Sequence, residues 1–405
     1  MKIFFSVGEP SGDLHGANLI RELRQRHPDI ECVGFGGPRM QAAGAELLED
    51  LTRLAVMWFL RALLNLHHFL RLFQVARRYF REHRPDAVVL IDYPGFNWWV
   101  ARAAKRETIP VFYYGAPQMW AWAPWRVRKM RRLIDHVLCK LPFEETWFQQ
   151  RGCRATYVGH PYFDEMVQQV LDAAFLQRYR EPGTPLVTIL PGSRTQEVGS
   201  NLTQFLAAAQ QVRAQLPNVR FAVAAYNEAQ ADTALREIIR RRLPMEVHVG
   251  KTAELIHLAD CCMACSGSVS LELLHHEKPT VILYRISPPA FAVQRVFRRV
   301  KYITLVNLLA TRDPFPRDLT TYDPDHQDAE RVPFPEYLTY RDVSARIAAH
   351  VTCWLQSPEQ RRVRVEELRA LKSRFAHPGA TRRAAEYVLE RLGDRAPVRS
   401  RPRAA

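Results

Sequence analysis

The sequence predicts an α/β protein built from two open domains, each a parallel sheet covered by helices. Two observations carry this prediction. At 405 residues the chain is longer than a typical single domain. Apolar runs of strand length alternate with amphipathic helical segments, and this alternation begins twice, at residues 2–7 and at 186–190. The expected segments are two domains at 1–165 and 183–357, helices over 358–393 that pack back on the first domain, and a disordered basic tail over 394–405.

The first domain opens with a strand, a glycine-containing loop and a helix. The strand covers Lys2 to Val7, and the loop from Gly8 to Gly16 leads into a helix that reaches about Arg26. The loop lacks the Gly-x-Gly-x-x-Gly pattern of dinucleotide-binding domains. A ligand crevice is still expected here, because open α/β sheets bind ligands beyond the carboxyl ends of their strands.

Two later strand ends bring polar and aromatic residues to the same edge. A strand over 87–91 precedes Asp92, and one over 110–114 precedes three tryptophans within 120–125. These tryptophans either cap a core or, beside the cations of 126–132, contact a sugar, a base or a lipid interface. The acidic groups expected at this edge are Glu9, Asp13 and Asp92.

The segment from Val56 to Arg81 is predicted to be a helix with an aromatic, apolar face. Basic and polar residues gather on its other face, with a few apolar intrusions. One interpretation is a core helix of the first domain. The other is contact with an acyl chain or a membrane, because basic residues beside aromatic ones suit an anionic interface. The residues assigned to lipid contact are Trp58, Phe59, Leu66, Phe69 and Phe73.

The second domain supplies two candidate anchors for a nucleoside diphosphate. The turn Pro191-Gly192-Ser193 follows its first strand, and Arg194 is placed there to bind phosphate oxygens. A later apolar run over 259–265 turns through Ser266, Gly267 and Ser268 into a helix, whose N-terminal N–H groups favour an anion. Glu272, one helical turn on, can accept hydrogen bonds from a ribose diol. An ordinary turn with a surface glutamate has the same pattern.

Charge and composition restrict the class of protein. Lys and Arg number 57 against 42 Asp and Glu, a net charge of +15, which predicts a polyanionic partner, either nucleic acid or an anionic membrane. The basic residues are spread over several segments rather than one stripe, which argues against nucleic acid. No long uncharged stretch suits a membrane span, and the first strand is too short for a signal peptide, so a cytoplasmic protein is expected.

Neither a metal nor a cofactor is expected. Cys262 and Cys265 have the spacing of a zinc or redox pair, but no second pair accompanies them and both lie in an apolar run, which predicts buried thiols. No Asp-x-Asp motif stands at a strand end, so a transfer from a nucleotide sugar would not require a metal.

Six ordered motifs give the chain a family resemblance. Gly8-Glu9-Pro10-Ser11-Gly12-Asp13 and Ile91-Asp92-Tyr93-Pro94-Gly95-Phe96-Asn97 resemble the GExSGD and IDxPxFN elements of lipid A disaccharide synthases. Later elements of that family are similar to Trp120-Ala121-Trp122, Leu190-Pro191-Gly192-Ser193-Arg194-x-x-Glu197, Ser266-Gly267-Ser268-x-x-Leu271-Glu272 and Asn307-Leu308-Leu309. The resemblance extends from Met1 to about Leu392.

The resemblance implies a GT-B fold, in which two Rossmann-like domains hold the active site in the cleft between them. It implies an inverting glycosyl transfer without metal or cofactor. The donor would be UDP-2,3-diacylglucosamine and the acceptor 2,3-diacylglucosamine 1-phosphate, giving the β-1′,6-linked disaccharide 1-phosphate and UDP. The protein would associate peripherally with the anionic cytoplasmic face of the inner membrane, and a homodimer is one of its expected states.

The resemblance also assigns roles to residues. Asp92 would be the general base for the acceptor 6-hydroxyl, and the alternative is a cap for the helix after it. Arg194 with Ser266, Gly267 and Ser268 would hold the diphosphate, and Glu272 the ribose. The residues expected on the acceptor side or in the cleft are Glu9, Ser11, Gly12, Asp13, Asn97, Trp120 and Asn307.

Two features depart from the family pattern, and two other classes stay open. The loop over 312–335 is longer than the family's usual connection, and His15 has no expected role. Another GT-B enzyme, a UDP-N-acetylglucosamine transferase or epimerase, would lack the apolar Trp58–Phe73 segment. A basic nucleic-acid-binding protein would account for the charge alone.

Overall fold

The structure, a computed structural model, describes residues 1–52 and 66–393 and confirms the predicted fold class of two parallel-sheet α/β domains. The chain divides into two compact units. The first holds Met1–Asp164 and the segment from Pro378 onward, and the second holds Glu165–His377.

The first unit contains a seven-stranded parallel sheet in the order β3-β2-β1-β4-β5-β6-β7. The strand order reverses beside β1, so the loops after β1 and β4 meet at a topological switch point, where open α/β sheets bind ligands. Its strands are β1 Lys2–Val7, β2 Glu31–Gly36, β3 Glu46–Asp50, β4 Ala87–Ile91, β5 Val111–Tyr114, β6 His136–Cys139 and β7 Ala155–Tyr157.

Helices cover both faces of this sheet. On one face Phe4 of β1 packs edge to face on Phe80, with 4.8 Å between ring centroids, while Ile3 and Phe5 point into the core on the other face. Strands buried on both faces read as continuous apolar runs, which is why they are visible in the sequence. The helices here are α1 Pro10–Arg26, α2 Pro38–Ala42, α3 Leu66–His83, α4 Pro94–Arg106, α5 Met119–Trp122, α6 Val127–Leu133 and α7 Pro142–Gln149. The next helix, α8 Tyr162–Gln168, begins in the first unit and ends in the second.

The second unit contains a six-stranded parallel sheet in the order β10-β9-β8-β11-β12-β13. Its order reverses beside β8, so the loops after β8 and β11 meet at a second switch point. The strands are β8 Leu186–Leu190, β9 Arg220–Ala225, β10 Glu246–Val249, β11 Cys261–Cys265, β12 Thr280–Arg285 and β13 Glu336–Thr339. The helices are α9 Ala173–Tyr179, α10 Thr195–Gln215, α11 Glu228–Arg240, α12 Thr252–Leu258, α13 Val269–His275, α14 Pro288–Phe297, α15 Leu305–Ala310, α16 Ser344–Gln356 and α17 Pro358–Phe375.

The division into units differs from the predicted boundaries. The connection after residue 165 and α17 both belong to the second unit, and α18, Ala380–Gly393, lies in the first. Ala384, Ala385 and Val388 of α18 are buried in the first unit's core, and Asp164 Oδ2 accepts a hydrogen bond from the Thr381 N–H at 2.8 Å. One helix, rather than the whole of 358–393, therefore packs back.

Two strands differ from the sequence interpretation, and two predicted segments are not tested. The edge strands β3 and β13 were not predicted, because their mixed polar sequences lack a strong apolar pattern. The loop over 312–335 is irregular apart from a 3₁₀ turn at Ala329–Arg331. The predicted tail over 394–405 and the first part of the segment from Val56 lie outside the described residues.

Candidate functional site

Asp92 lies immediately after β4, at the first unit's switch point. Its backbone has φ +46° and that of Tyr93 has φ +43°, a left-handed conformation that is costly for residues other than glycine. Two hydrogen bonds to the Asp92 carbonyl hold this turn, from Asn97 Nδ2 at 2.8 Å and from the Tyr113 hydroxyl at 2.6 Å. The backbone therefore fixes where the half-buried Asp92 carboxylate begins.

Lys140, in the loop after β6, contacts the Asp92 carboxylate. Its Nζ lies 3.3 Å from Asp92 Oδ1. Burial lowers the pKa of Lys140, but the negative charges of Asp92, Glu144 and Glu9 outweigh burial, and the net effect raises the pKa above 10.5. The ammonium group is therefore protonated at neutral pH and orients one carboxylate oxygen of Asp92.

Two histidines lie near this ion pair. His160 and His15 are both buried. Burial, followed by the positive charges of Lys140 and His15, holds the pKa of His160 well below 6.5. Sequence reasoning missed Lys140 and His160 and left His15 without a role. The available signal was positional, because Lys140 directly follows β6 at the same sheet edge as Asp92.

Gly12 lies next to the Asp92 carboxylate, Glu9 occupies the N-cap position of α1, and Ser11 is exposed in the first turn of that helix. A Cβ on Gly12 would stand 2.9 Å from Val7 Cγ1 and 3.8 Å from Asp92 Oδ2, so glycine allows α1 to approach the strand ends closely. The Glu9 charge contributes to the raised pKa values of Tyr93 and Lys140.

Asp13 and Asn97 occupy buried hydrogen-bond networks rather than a surface open to an acceptor. Asp13 accepts from the N–H groups that begin α2, including those of Gly37 at 2.9 Å and Met40 at 3.0 Å. Asn97 is fully buried, accepts from the Ser6 hydroxyl at 2.7 Å, and donates to the carbonyls of β1 and β4. Both side chains therefore stabilise the backbone around the switch point through buried hydrogen bonds.

Trp120 and Asn307 are likewise buried and hydrogen-bonded rather than open to a ligand. Trp120 is buried, and its Nε1 donates to Glu144 Oε1 at 2.9 Å. Asn307, in the second unit, is buried and donates to Glu336 Oε2 at 3.1 Å and to the Phe334 carbonyl at 2.8 Å. The exposed tryptophans of this motif region are Trp122 and Trp125, which are 49% and 52% exposed.

At the second unit's switch point, Arg194 stands at the N-cap of α10 with its side chain 75% exposed. Glu197 Oε2 accepts from the N–H groups of Ser193 and Arg194 at 3.2 Å each, and Oε1 lies 3.2 Å from Arg194 Nη1. Gly192 has φ +130°, and a Cβ there would approach the Glu197 side chain to 2.6 Å. The helix end is thus capped internally, and the guanidinium is the group presented to solvent.

The turn between β11 and α13 lies next to this one in the sheet order. Gly267 and Ser268 are exposed, and Ser268 occupies the N-cap position without a side-chain capping bond. The Ser266 hydroxyl donates to the Ile303 carbonyl at 3.4 Å. The N–H groups of Ser270 and Leu271 already donate to the carbonyls of Gly267 and Ser268 at 3.1 and 2.9 Å, so the exposed Gly267 and Ser268 are the part of this turn that is open to a ligand.

Glu272 contributes to a cavity in the second unit. The carboxylate is only 5% exposed, and the cavity of about 330 Å³ is at the lower end of the range for small-molecule sites. Its lining residues are Gln169, Val170, Gly250, Thr252, Ala253, Glu254 and Glu272. The cavity is therefore lined by Glu272 and by residues at the start of α12, including Thr252 and Glu254.

The predicted lipid-binding residues are only partly described. Trp58 and Phe59 lie outside the described residues, as does the side chain of Leu66, where α3 begins. Phe69 and Phe73 are half-buried: Phe69 packs on Phe96 and Phe73 on Trp99, each pair with 5.7 Å between ring centroids. Phe69 and Phe73 therefore pack on aromatic residues of the first unit, as a core helix would, and also keep part of their surface exposed, as contact with lipid would require.

The described ranges contain neither a cluster of metal-binding side chains nor a helix long and apolar enough to cross a membrane. Cys262 and Cys265 are buried free thiols, as predicted.

Comparisons with known proteins agree on one family. A family model described as lipid-A-disaccharide synthetase matches residues 3–332. A lipid-A-disaccharide synthase of Geobacter sulfurreducens is 32% identical over 394 residues, with 97% of each chain covered. That of Myxococcus xanthus is 33% identical over 399 residues, covering 96% of this chain and 97% of the relative.

Solved structures with lower identity share the fold. A UDP-GlcNAc 2-epimerase from Neisseria meningitidis bound to UDP-GlcNAc aligns with a TM-score of 0.63 at 14% identity, covering 96% of this chain and all of the other (100%). The glycosyltransferase of kitacinnamycin aligns with a TM-score of 0.56 at 18% identity, covering 96% and 98%.

Proposed function

Because the chain belongs to the lipid-A-disaccharide synthetase family, we propose that it is an inverting glycosyltransferase that forms the lipid A disaccharide. It transfers 2,3-diacylglucosamine from UDP-2,3-diacylglucosamine to the 6-hydroxyl of 2,3-diacylglucosamine 1-phosphate. The products are the β-1′,6-linked disaccharide 1-phosphate and UDP.

The observation that carries the proposal is the fixed Asp92 carboxylate at the first switch point. A sugar hydroxyl is a weak acid, so its attack on the anomeric carbon needs a base within hydrogen-bond reach. In a single displacement the acceptor oxygen bonds to the anomeric carbon, its proton passes to Asp92, and the bond to the UDP oxygen breaks with inversion. Lys140 holds Asp92 Oδ1 at 3.3 Å, which favours Oδ2 as the proton acceptor.

The second unit supplies the donor site in this proposal. The exposed guanidinium of Arg194 and the turn Ser266-Gly267-Ser268 bind the diphosphate, whose charge increases as UDP leaves. Glu272 binds the ribose hydroxyls from the cavity of about 330 Å³. No residue in this scheme requires a metal, because the side chain and backbone N–H donors neutralise the leaving group.

Both substrates carry acyl chains, so we also propose that the protein works at the surface of an anionic inner membrane. The aromatic residues Phe69 and Phe73 and the exposed Leu70, at 44%, support α3 as one contact with lipid. Homodimer formation stays a hypothesis that sedimentation of the full chain tests.

The experiment is a product assay with the full-length protein. UDP-2,3-diacylglucosamine and 2,3-diacylglucosamine 1-phosphate are incubated with it, and mass spectrometry follows disaccharide 1-phosphate and UDP, which we expect in equal amounts. UDP-N-acetylglucosamine is offered in parallel. Epimerisation or transfer of that soluble sugar, with no disaccharide from the acylated pair, would reject the proposal in favour of another GT-B activity.

A further inference from the structure

Helix α14, Pro288–Phe297, is apolar but buries none of its residues. Val293 is 58% exposed, Val296 64% and Phe297 45%. A surface helix of a globular domain normally turns its apolar stripe towards the core. An exposed, contiguous apolar face of this kind marks an interaction surface.

The helix is nevertheless held in a defined place. At its start, Ser287 Oγ accepts a hydrogen bond from the Ala290 N–H at 3.4 Å. In its first half, Phe291 packs on Tyr340 with 5.2 Å between ring centroids. Just after its end, the buried Arg298 donates to the Lys301 carbonyl at 2.9 Å and to the Leu319 carbonyl. A helix anchored at both ends and in its first half presents its apolar residues at fixed positions.

The stretch of sequence that contains α14 carries charge of a single sign. Between Glu277 and Asp313 the sequence contains no acidic residue. Every charged residue in this stretch is a cation, namely Lys278, Arg285, Arg295, Arg298, Arg299, Lys301 and Arg312. Arg295 and Arg299 are exposed beside the apolar residues of the helix. Aliphatic and aromatic side chains with neighbouring cations and no anions complement a surface of anionic lipid headgroups over acyl chains.

Another helix of the same unit gives the contrast. Leu235 and Ile239 on α11 are also exposed, at 40% and 71%. Acidic residues accompany them, since Asp232 and Glu237 lie within one turn on the same helix. Scattered apolar residues in a mixed-charge surface are normal for a soluble domain. Exposure alone therefore does not distinguish α14. The difference is that α14 and its neighbours in sequence carry cations and no acid, and the acidic groups that interact with these cations, including Asp318 and Asp342, belong to other segments.

From these observations we propose that α14 of the second unit is a membrane-contacting helix that inserts Val293, Val296 and Phe297 into the interface of an anionic bilayer. Arg295 and Arg299 then bind lipid phosphates. This helix belongs to the second unit, whereas α3 belongs to the first. The proposal does not depend on the proposed reaction, because it concerns binding of the protein to lipid and not the substrates.

The test measures binding of the full-length protein to vesicles without substrate. Val293→Ser/Val296→Ser/Phe297→Ser is compared with the parent and with the matched control Leu235→Ser/Ile239→Ser. Vesicles contain phosphatidylcholine alone or with phosphatidylglycerol. We expect the triple variant to lose about tenfold or more in partitioning to anionic vesicles, because three inserted side chains are removed, and the control to bind as the parent does.

The charges are tested separately. Arg295→Gln/Arg299→Gln is expected to weaken binding to phosphatidylglycerol vesicles and leave binding to phosphatidylcholine unchanged, with less salt dependence than the parent. Thermal melts of every variant check the fold, and Val296→Ser alone replaces the triple variant if the latter melts early.

Three results would overturn the proposal. One is unchanged vesicle binding by the folded triple variant. A second is a change in sedimentation of that variant without a change in vesicle binding, which would assign the face to a second copy of the chain. The third is an effect restricted to the KM for long-chain donors in detergent, which would assign it to substrate acyl chains. The vesicle and sedimentation measurements involve no turnover, so they decide the proposal even if the proposed activity fails, and only the third result depends on that activity.

Discussion

The two switch points occupy equivalent places in their sheets but are built differently. After β4, a left-handed turn, two hydrogen bonds to the Asp92 carbonyl and an ion pair with Lys140 fix one carboxylate. After β8, the Arg194 side chain is 75% exposed and contacts Glu197 at 3.2 Å. A group that exchanges a proton must be held near its productive geometry, whereas a long cation can adjust to a phosphate as it binds. The difference is consistent with the proposed roles, proton transfer at the first switch point and binding of the diphosphate at the second.

The largest expected effect tests that contrast at Asp92. Asp92→Asn keeps the size of the side chain and a residue type that tolerates positive φ, and Glu144 and Glu9 still face Lys140. We expect turnover to fall by about 10²–10⁴, the usual contribution of a general base, with UDP affinity nearly unchanged.

The matched control is Asp86→Asn, at the other end of β4, where the carboxylate accepts from the Lys2 N–H at 2.7 Å. It should turn over as the parent does. Single-turnover rates at saturating acceptor and thermal melts measure both variants. The N-cap of α4 is Tyr93, with no side-chain capping bond, so the predicted alternative of Asp92 as a helix cap does not apply. If Asp92→Asn keeps its rate within a few-fold, Asp92 is not the base and the contrast between the two sites fails.

The second effect concerns the rigid surroundings of Asp92. Asn97→Ala removes side-chain bonds to Ser6, Ile91 and Asp92 and leaves buried groups unpaired. We expect the free energy of unfolding to fall by about 2–4 kcal/mol, together with turnover. Asn18→Ala on the exposed side of α1 should change stability by less than about 0.5 kcal/mol. Urea unfolding compares them, and equal losses would show that the buried network does not hold the site.

The third effect tests the second switch point, where Arg194 is expected to bind the diphosphate. Arg194→Ala should weaken UDP binding by about 1.5–3 kcal/mol, tenfold to about a hundredfold, while stability stays near that of the parent because the side chain is 75% exposed. Arg240→Ala is the control, since Arg240 forms the same i,i+3 pair with Glu237 at 2.6 Å in the same unit. Calorimetry with UDP measures affinity, and equal affinities in the two variants would remove Arg194 from the donor site.

The smallest effect is a pH dependence. The pKa of His160 lies well below 6.5 in the folded protein because of burial and the charges of Lys140 and His15. Below pH 6.5 the unfolded chain binds a proton that the folded chain does not, so this histidine's contribution to stability is present above 6.5 and is lost as pH falls. His160→Asn should therefore lose stability less steeply with falling pH, as measured by urea unfolding on either side of this value. An unchanged slope would contradict the neutral, buried imidazole.

Much of the fold could be predicted because short segments of the sequence have the patterns of individual strands and helices. The doubly buried strands, the two repeats of the α/β alternation and the residues that directly follow strands, Asp92 and Arg194, are all visible as short segments. The edge strands β3 and β13 were missed because both are short and contain acidic residues, so neither has a continuous apolar run, although β13 is mostly buried. The sequence also predicted that Asp92 and Arg194 lie at the ligand-binding edges of their sheets. A residue that directly follows a strand of a parallel sheet lies at the same edge as the residues that follow the other strands.

What the sequence by itself determined was therefore the two α/β sheets and the family motifs at their strand ends. Only the tertiary structure decided which motif residues are buried in hydrogen-bond networks and which are exposed. Lys140 meets Asp92 across 48 positions of chain, and Asn307 meets Glu336 across 29. Asp13, Asn97 and Trp120 become buried, and α14 stays exposed, because neighbours in a crossover-connected sheet are set by strand order and packing rather than by sequence distance.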